Sequence, residues 1–519
     1  MENNQTLETK AEVKNGVKRL IFAGIAIILQ VLVIILISLR FAEQAEWFAI
    51  GTRVLGTLLV LLIYNDNRPS DSKMTWIITI MALPIFGVTF YLLVGLNSHT
   101  RKMRERYAEV DKRLMPTLPS GDEAQKRLAA VDGRAANIAR YLRDMSGYPV
   151  YDDTKVTYYD DATKGIEAQK EELRRAEKFI FMEYHAIEDA ESWHAIQEIL
   201  EDRVRAGVEV RVFYDDMGSI GFVNTDFVER LEAKGIKAKV FNPFAPGLNL
   251  FLNNRDHRKV TVVDGRVGFT GGYNIANEYF NLTHPFGHWK DTGIRLEGPA
   301  VQSLTVTFLE MWNAVSEGDV DDVSYERYLA PTKANAEAEG FVLPYADSPM
   351  DDIQVGEDVY ISAAEYAKDY VWYVTPYLII TDEMRHAMGL AARRGVDVRI
   401  VTPGIPDKKM VYALTRSYYH GLVRCGVRIF EYTPGFCHCK MCVTDDKFAT
   451  CGTINLDYRS LYHHFENGCM YYGCDAVGDT KADFGWMFEQ SREVTDDYRD
   501  PAAHVKLWHL ILRLASPLM

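Results

Sequence analysis

Apolar residues are spread unevenly along the chain, and that unevenness marks out its parts. Three apolar stretches open it, at residues 20–39, 47–64 and 74–96. The first carries no charge and has the length that crosses a hydrocarbon core. It reads as a spanning helix and not as a cleaved leader, because more apolar sequence follows it where a small-residue cleavage site would stand. The third is also long enough to span, with Pro84 and Gly87 inside it. The middle stretch is shorter and carries Arg53, which fits either a third span or one arm of a re-entrant hairpin. Residues 1–96 are therefore expected to form an N-terminal transmembrane helical region.

Residues 97–150 are polar and charged with helical spacing, and read as a linker. Beyond them the pattern changes period and then repeats, the mark of a duplicated unit. The strand-like run from Phe179 to Glu183 has a later counterpart from Tyr370 to Val374. A helical stretch follows each, then a Gly-Val pair leads into a second buried strand, at 206–212 and 394–400. Another helix and a third strand come next, at 235–240 and 426–430. This β-α-β-α-β order predicts an α/β fold with mostly parallel sheets, in two pseudo-symmetric halves at 151–325 and 326–500. An Asp-, Glu-, Ala- and Pro-rich region, 318–355, separates them. Residues 501–519 have an amphipathic helical pattern, which suits a helix lying on a membrane or one docked on the second half.

Charge and cysteine usage narrow the picture. The net charge of -14 argues against a nucleic-acid partner, since phosphate-backbone binding needs a basic face. The basic cluster Arg101, Lys102, Arg104, Arg106, Lys112 and Arg113 follows the last apolar stretch and places the large C-terminal part on the cytoplasmic side. Lys10, Lys14, Lys18 and Arg19 vote for the same side, which two spans satisfy and three do not. A multi-pass protein of the cell membrane, with its soluble part on the cytoplasmic face, is the expectation. All seven cysteines fall at 425–474, and an odd number cannot all pair, so they read as free thiols. Cys437, Cys439 and Cys442 lie in what reads as one strand, where alternate side chains diverge, so a zinc site there is disfavoured.

The candidate chemistry sits at equivalent places in the two halves. His257, Lys259 and Asp264 recur as His438, Lys440 and Asp445, with Gly272 and Asn274 after the first set and Thr453 and Asn455 after the second. Residues i and i+2 of a strand share a face, so each histidine and lysine project into one pocket. A neutral imidazole is a nucleophile, and a lysine ammonium stabilises a phosphate oxygen that gains charge. Phosphodiester exchange through a covalent intermediate needs one group to attack phosphorus and another to protonate the leaving alkoxide. Two copies facing each other supply both. His284 and His288 lie outside this pattern and are given no role.

These paired motifs resemble those of the phospholipase D superfamily, and the chain is similar to its bacterial cardiolipin synthases. The likeness extends to Asn254-Arg-Asp-His-Arg-Lys, Trp289-Lys-Asp291, Thr375-Pro-Tyr and Asn455-Leu-Asp-Tyr-Arg-Ser, and to Pro84-Ile-Phe-Gly near the amino terminus. The resemblance implies transfer of a phosphatidyl group between two phosphatidylglycerol molecules, giving cardiolipin and glycerol. A phospholipase D, or a phosphatidyltransferase with another acceptor, is the alternative. It implies His257 as nucleophile and His438 as general acid and base, with Lys259, Lys440, Asn274 and Asn455 holding the phosphate. It also implies that an acidic residue downstream of each motif orients that motif's histidine, the matching positions being Asp291 and Glu466. Asp264 and Asp445 brace their motifs. No metal or other cofactor is expected, because lysine and histidine bring the charge a metal would bring; an oligomer stays open. The family's serine after glycine is Gly272 in the first half and Thr453 in the second, so a phosphate contact is expected to be missing from the first half.

Overall fold

The computed structural model describes residues 46–66, 70–92, 98–243, 254–315 and 325–500 (apart from 326, 330, 331 and 352), with scattered positions in 18–36 and 502–513. Of the apolar stretch 20–39, positions 20, 23, 26, 27, 34 and 37–39 lie outside the described residues. The stretch 74–96 is not one helix. Pro84 lacks an amide hydrogen and excludes helical geometry from Leu83, so the chain breaks into Ser70–Ala82 and Pro84–Phe90. The second arm folds back on the first so closely that a Cβ at Gly87 would lie 2.6 Å from Ile80 Cα. Both pack on the helix Glu46–Tyr64 through Leu59, Ile63, Ile80, Val88 and Tyr91. Among the described residues no helix is long and apolar enough to cross a membrane.

Residues 97–150 are more than a linker. The helices Ser98–Leu114, Asp122–Val131 and Gly133–Ser146 bury Leu114, Leu128, Ala139 and Leu142 in the same core as both sheets. Their helical spacing was legible, and their apolar stripe docks on the body of the protein instead of facing solvent.

The repeat is plain in the sheets. The first half gives seven strands: Lys155–Tyr159, Gly293–Glu297, Val267–Gly271, Lys259–Val263, Phe179–Tyr184, Glu209–Asp215 and Lys237–Phe241, in that spatial order. The second half repeats this order with Phe341–Asp347, His464–Tyr472, Phe448–Gly452, Met441–Thr444, Tyr370–Val374, Asp397–Pro403 and Arg428–Tyr432, and adds Ser491–Glu493 at the far edge. Each sheet is mixed, which corrects the expectation of mostly parallel sheets. Along the main path of each sheet, only the three strands joined by helical crossovers pair in parallel. After them the chain returns through a hairpin, Lys259–Val263 with Val267–Gly271 and Met441–Thr444 with Phe448–Gly452, and a hairpin can only be antiparallel.

The helix Val301–Ala314 is buried at every residue but Gln302 and packs against the helix Ser98–Leu114 and the first sheet. Of residues 501–519, Leu512 is buried and Arg513 donates to Ser417 O at 3.0 Å and covers the Tyr418 ring. At these positions the segment docks on the helix Lys409–Val423.

Candidate active site

Each motif is delivered to the junction of the two sheets by a short strand that pairs with the opposite half. Arg255–Asp256, just before the first motif, pairs in parallel with the start of His464–Tyr472. His257 N then donates to Phe465 O at 2.9 Å. The second half does the same: Gly435–Cys437 pairs in parallel with His288–Lys290, and His438 N donates to Lys290 O at 2.8 Å. Cys437, Cys439 and Cys442 are thus divided by a break at the motif and do not share one strand; all seven cysteines are free.

This crossing exchanges the carboxylates. His257 Nδ1 lies 2.9 Å from Glu466 Oε2, and His438 Nδ1 lies 2.7 Å from Asp291 Oδ2. Each histidine is therefore oriented by the acidic residue of the other half, not by the one downstream of its own motif. The cause is the strand pairing: Asp291 follows the strand that pairs with the second motif's approach, and Glu466 lies on the strand that pairs with the first's. A carboxylate on Nδ1 takes the N–H and leaves the Nε2 lone pair available.

Both histidines are buried, at 7% and 6% exposure, and both carboxylates more fully. Burial, with Lys259 and Lys440 next, holds the His257 ring well below the usual imidazole range. Burial and Lys440 push His438 down to about 3, against the pull of Asp291. Burial likewise draws Lys259 down to about 7 and Lys440 to about 8, each opposed by the carboxylates. The influence of His438 and Lys440 on His257 places both motifs in one electrostatic neighbourhood. Each lysine folds back on its own motif: Lys259 Nζ donates to His257 O at 2.6 Å, and Lys440 Nζ donates to His438 O.

The residues downstream of the motifs do unequal work. A Cβ at Gly272 would stand 2.0 Å from Asp291 Oδ1, so only glycine lets that carboxylate reach His438. At the equivalent place Thr453 Oγ1 donates to Glu466 Oε2 and accepts from Asn467 N. The hydroxyl thus holds a carboxylate, and its absence from the first half makes room for the other carboxylate. Asn274 Oδ1 accepts from Ala186 N, and its amide donates to Tyr279 OH, whose ring stands edge-on to His438. Asn455 Oδ1 is buried without a hydrogen-bond partner. Asp264 and Asp445 lie at the far end of the motif strands with positive φ, where each carboxylate accepts from three successive backbone N–H groups. They tie the motif hairpin to the neighbouring strand and touch neither histidine.

Three neighbours of the motifs were not singled out from sequence. Arg258, the middle residue of the first motif, is fully buried; it donates to Thr307 O and Tyr107 OH and lies 3.4 Å from Glu310 Oε2. It joins the motif to the helices Ser98–Leu114 and Val301–Ala314. His185 and His464 flank the His257 ring at centroid distances of 4.9 and 5.4 Å. The only sequence signal for His464 was its position two residues before Glu466.

Residues 170–312 and 360–488 match the family described as cardiolipin synthase, PLD-like domain, one match in each half. Residues 54–95 match the phospholipase D-nuclease N-terminal family. A cardiolipin synthase of Halalkalibacterium halodurans is 30% identical, over 91% of this chain and 95% of its own length. A cardiolipin synthase 2 of Bacillus anthracis is 31% identical over 89% and 90%. An uncharacterized protein of Streptococcus mutans is 43% identical over 89% and 99%. Among solved structures, the phosphatidylserine synthase of Haemophilus influenzae has the same fold, with a TM-score of 0.54 and 14% identity over 74% of this chain and 99% of that one. With a domain match in each half and relatives that align over about nine-tenths of its length, the chain belongs to the cardiolipin synthase family of phospholipase D-like phosphatidyltransferases.

Proposed function

We propose that this protein transfers a phosphatidyl group from one phosphatidylglycerol to another through a phosphohistidine, forming cardiolipin and releasing glycerol. The observation that carries this reading is the crossed pair of carboxylate–histidine contacts, which sets a carboxylate on Nδ1 of each of two imidazoles at one junction. His257 Nε2 attacks phosphorus and forms the N–P bond while the P–O bond to glycerol breaks. His438 gives its proton to the departing glycerol oxygen. The hydroxyl of a second phosphatidylglycerol then loses its proton to His438, its oxygen attacks phosphorus, and the N–P bond breaks. The substrate's negative charge favours the protonated form of His438 that the first step needs. Lys259 and Lys440, released from their backbone carbonyls, steady the equatorial oxygens as charge grows. In this reading Asn455, whose buried side-chain oxygen has no hydrogen-bond partner, helps to hold the substrate, and Asn274 acts through Tyr279.

The helices of residues 46–92 support a lipid setting. Their outer faces expose Val54, Leu58, Leu61, Leu62, Met74, Ile78 and Met81, large apolar side chains of the kind that line a membrane or partner surface. Together with the apolar stretch 20–39, they form the membrane anchor in this reading, with the catalytic body on the cytoplasmic face.

The test is the product profile of purified protein with phosphatidylglycerol as sole lipid in detergent micelles. Cardiolipin and glycerol in equal amounts are expected. Phosphatidic acid as the only lipid product would make water the acceptor and sink the transferase reading.

A further inference from the structure

Three potential metal ligands converge beside the first motif, and one of them has no other task. His464 stands two residues before Glu466 on the strand His464–Tyr472, so the two side chains leave the same face. The His464 side chain is 10% exposed, and neither ring nitrogen makes a hydrogen bond. Buried polar groups are nearly always partnered, so a buried imidazole with two idle nitrogens calls for a ligand. Its nearest polar atom is Glu466 Oε1, 3.5 Å from Nδ1, and that oxygen also lacks a hydrogen bond. The other oxygen of Glu466 sits 2.9 Å from His257 Nδ1. One donor atom each from His257, His464 and Glu466 lies within 4.8 Å of the others. Ligands about 2.0–2.1 Å from a tetrahedral zinc ion stand roughly 3.3–3.4 Å apart. The idle Glu466 Oε1 and His464 Nδ1, 3.5 Å apart, stand close to that spacing. Two imidazoles and one carboxylate also form a known three-ligand zinc set, with a fourth position left open.

We propose that His257, His464 and Glu466 form a binding site for a divalent transition metal, zinc being the ion that fits, and that its occupation reversibly switches the enzyme off. The switching half of this proposal rests on His257 being the nucleophile; the binding half does not. The ring chemistry makes the consequence independent of which nitrogen ligates. A metal on Nε2 occupies the attacking lone pair. A metal on Nδ1 displaces the proton held by Glu466, and the neutral ring then carries its proton on Nε2. In neither case does an N–P bond form. His185 packs against His257 but donates Nδ1–H to Asp256 O at 2.7 Å, so it walls the site without joining it. Lys259 and Lys440 oppose a bound cation, and their repulsion keeps its residence short enough to be reversed by a chelator.

The experiment uses the full chain in detergent micelles, with Co²⁺ as a visible stand-in for zinc. Titration is expected to give the strong visible absorption of a four-coordinate cobalt site, displaced by Zn²⁺. Over the same Zn²⁺ range, cardiolipin formation should fall about tenfold or more and return with EDTA. His464→Asn, which removes a ligand outside the catalytic groups, should form cardiolipin at the metal-free wild-type rate and lose both the cobalt band and the inhibition. A weak six-coordinate spectrum in the wild type overturns the proposal, as does undiminished zinc inhibition in His464→Asn. The wild-type spectrum needs no variant, so misfolding of His464→Asn cannot mask the outcome. A wild type that binds cobalt tetrahedrally yet makes no cardiolipin without metal would overturn the transferase reading and leave the site standing.

Discussion

The first motif and the second share their sequence pattern and their strand order, yet the groups around them differ in kind. His257 is held by a glutamate that a threonine hydroxyl also grips, and two further histidines flank it. His438 is held by an aspartate that reaches it only because Gly272 has no side chain, and aromatic rings surround it: Tyr279, Trp289 and Phe436. Duplication thus preserved the backbone geometry that presents an imidazole and let the surroundings diverge. An attacking base and a proton carrier need different surroundings, and this difference is what the proposed division of roles between the two histidines requires.

The comparison can be broken most directly at the histidines. His257→Ala and His438→Ala should each lower phosphatidyl transfer by on the order of 10³- to 10⁶-fold. In His438→Ala, mass spectrometry of peptides kept at neutral to alkaline pH, where an N–P bond survives, should find a phosphatidyl adduct on His257. An adduct found on His438 of His257→Ala, and none on His257, would reverse the roles. The exchanged carboxylates come next. Glu466→Gln and Asp291→Asn should each cost about 10²- to 10⁴-fold in kcat, because the wrong tautomer is favoured while the fold is kept. Single-turnover kinetics with a substrate whose activated leaving group needs no proton separate them. Glu466→Gln should still slow adduct formation, though Glu466 and His257 lie in different halves, whereas Asp291→Asn should slow it only with the glycerol leaving group. Slow attack in Asp291→Asn with normal attack in Glu466→Gln would restore same-half pairing.

Gly272→Ala should lower kcat by about 10²-fold, since the added carbon displaces the Asp291 carboxylate; Thr453→Ser, which keeps the hydroxyl on Glu466, should change it less than about threefold. Equal effects of the two would mean that Asp291 is not wedged against Gly272. The lysines give a pH dependence. Their ammonium forms are the active ones, and burial lowers them to about 7 for Lys259 and about 8 for Lys440 in the empty site. The kcat/KM profile should therefore fall as pH rises above about 7–8, by about tenfold per unit where one lysine governs, and the kcat limb should lie higher because bound phosphate favours the charged form. A kcat/KM profile flat to pH 10 would contradict this. The smallest effect is expected at Asp264 and Asp445. Replacing either with Ala should lower stability by about 1–3 kcal/mol in chemical denaturation, through lost backbone hydrogen bonds, with kcat per folded molecule unchanged.

What was legible in the sequence follows from range. Strands such as Phe179–Tyr184 and Tyr370–Val374 are buried on both faces, so apolar runs announce them. The motifs were legible because two residues of one short segment carry the chemistry. Edge strands were not: Phe341–Asp347 contains Pro344, which argues against a strand in the sheet interior but is tolerated at an edge. The break at Leu83 was written in Pro84, though apolar length outweighed it. The carboxylate exchange could not be read at all. It is fixed by pairing between residues about 150 to 210 apart in sequence, as in Phe436 with Trp289 and Phe465 with Asp256, and no local pattern encodes such pairing.

The crossing of the short strands has a consequence for inheritance. A half cut free of its partner would keep its histidine and lysine but lose the carboxylate that sets its tautomer. Each half is an incomplete enzyme whose missing part is carried by the other, so the two cannot drift separately. Substitutions at Asp291 will be answered at His438, and those at Glu466 at His257. Co-expressed half-chains should recover activity only as a mixed pair, whereas two copies of one half would have to lend each other an identical carboxylate, returning to the symmetry that the present chain has abandoned.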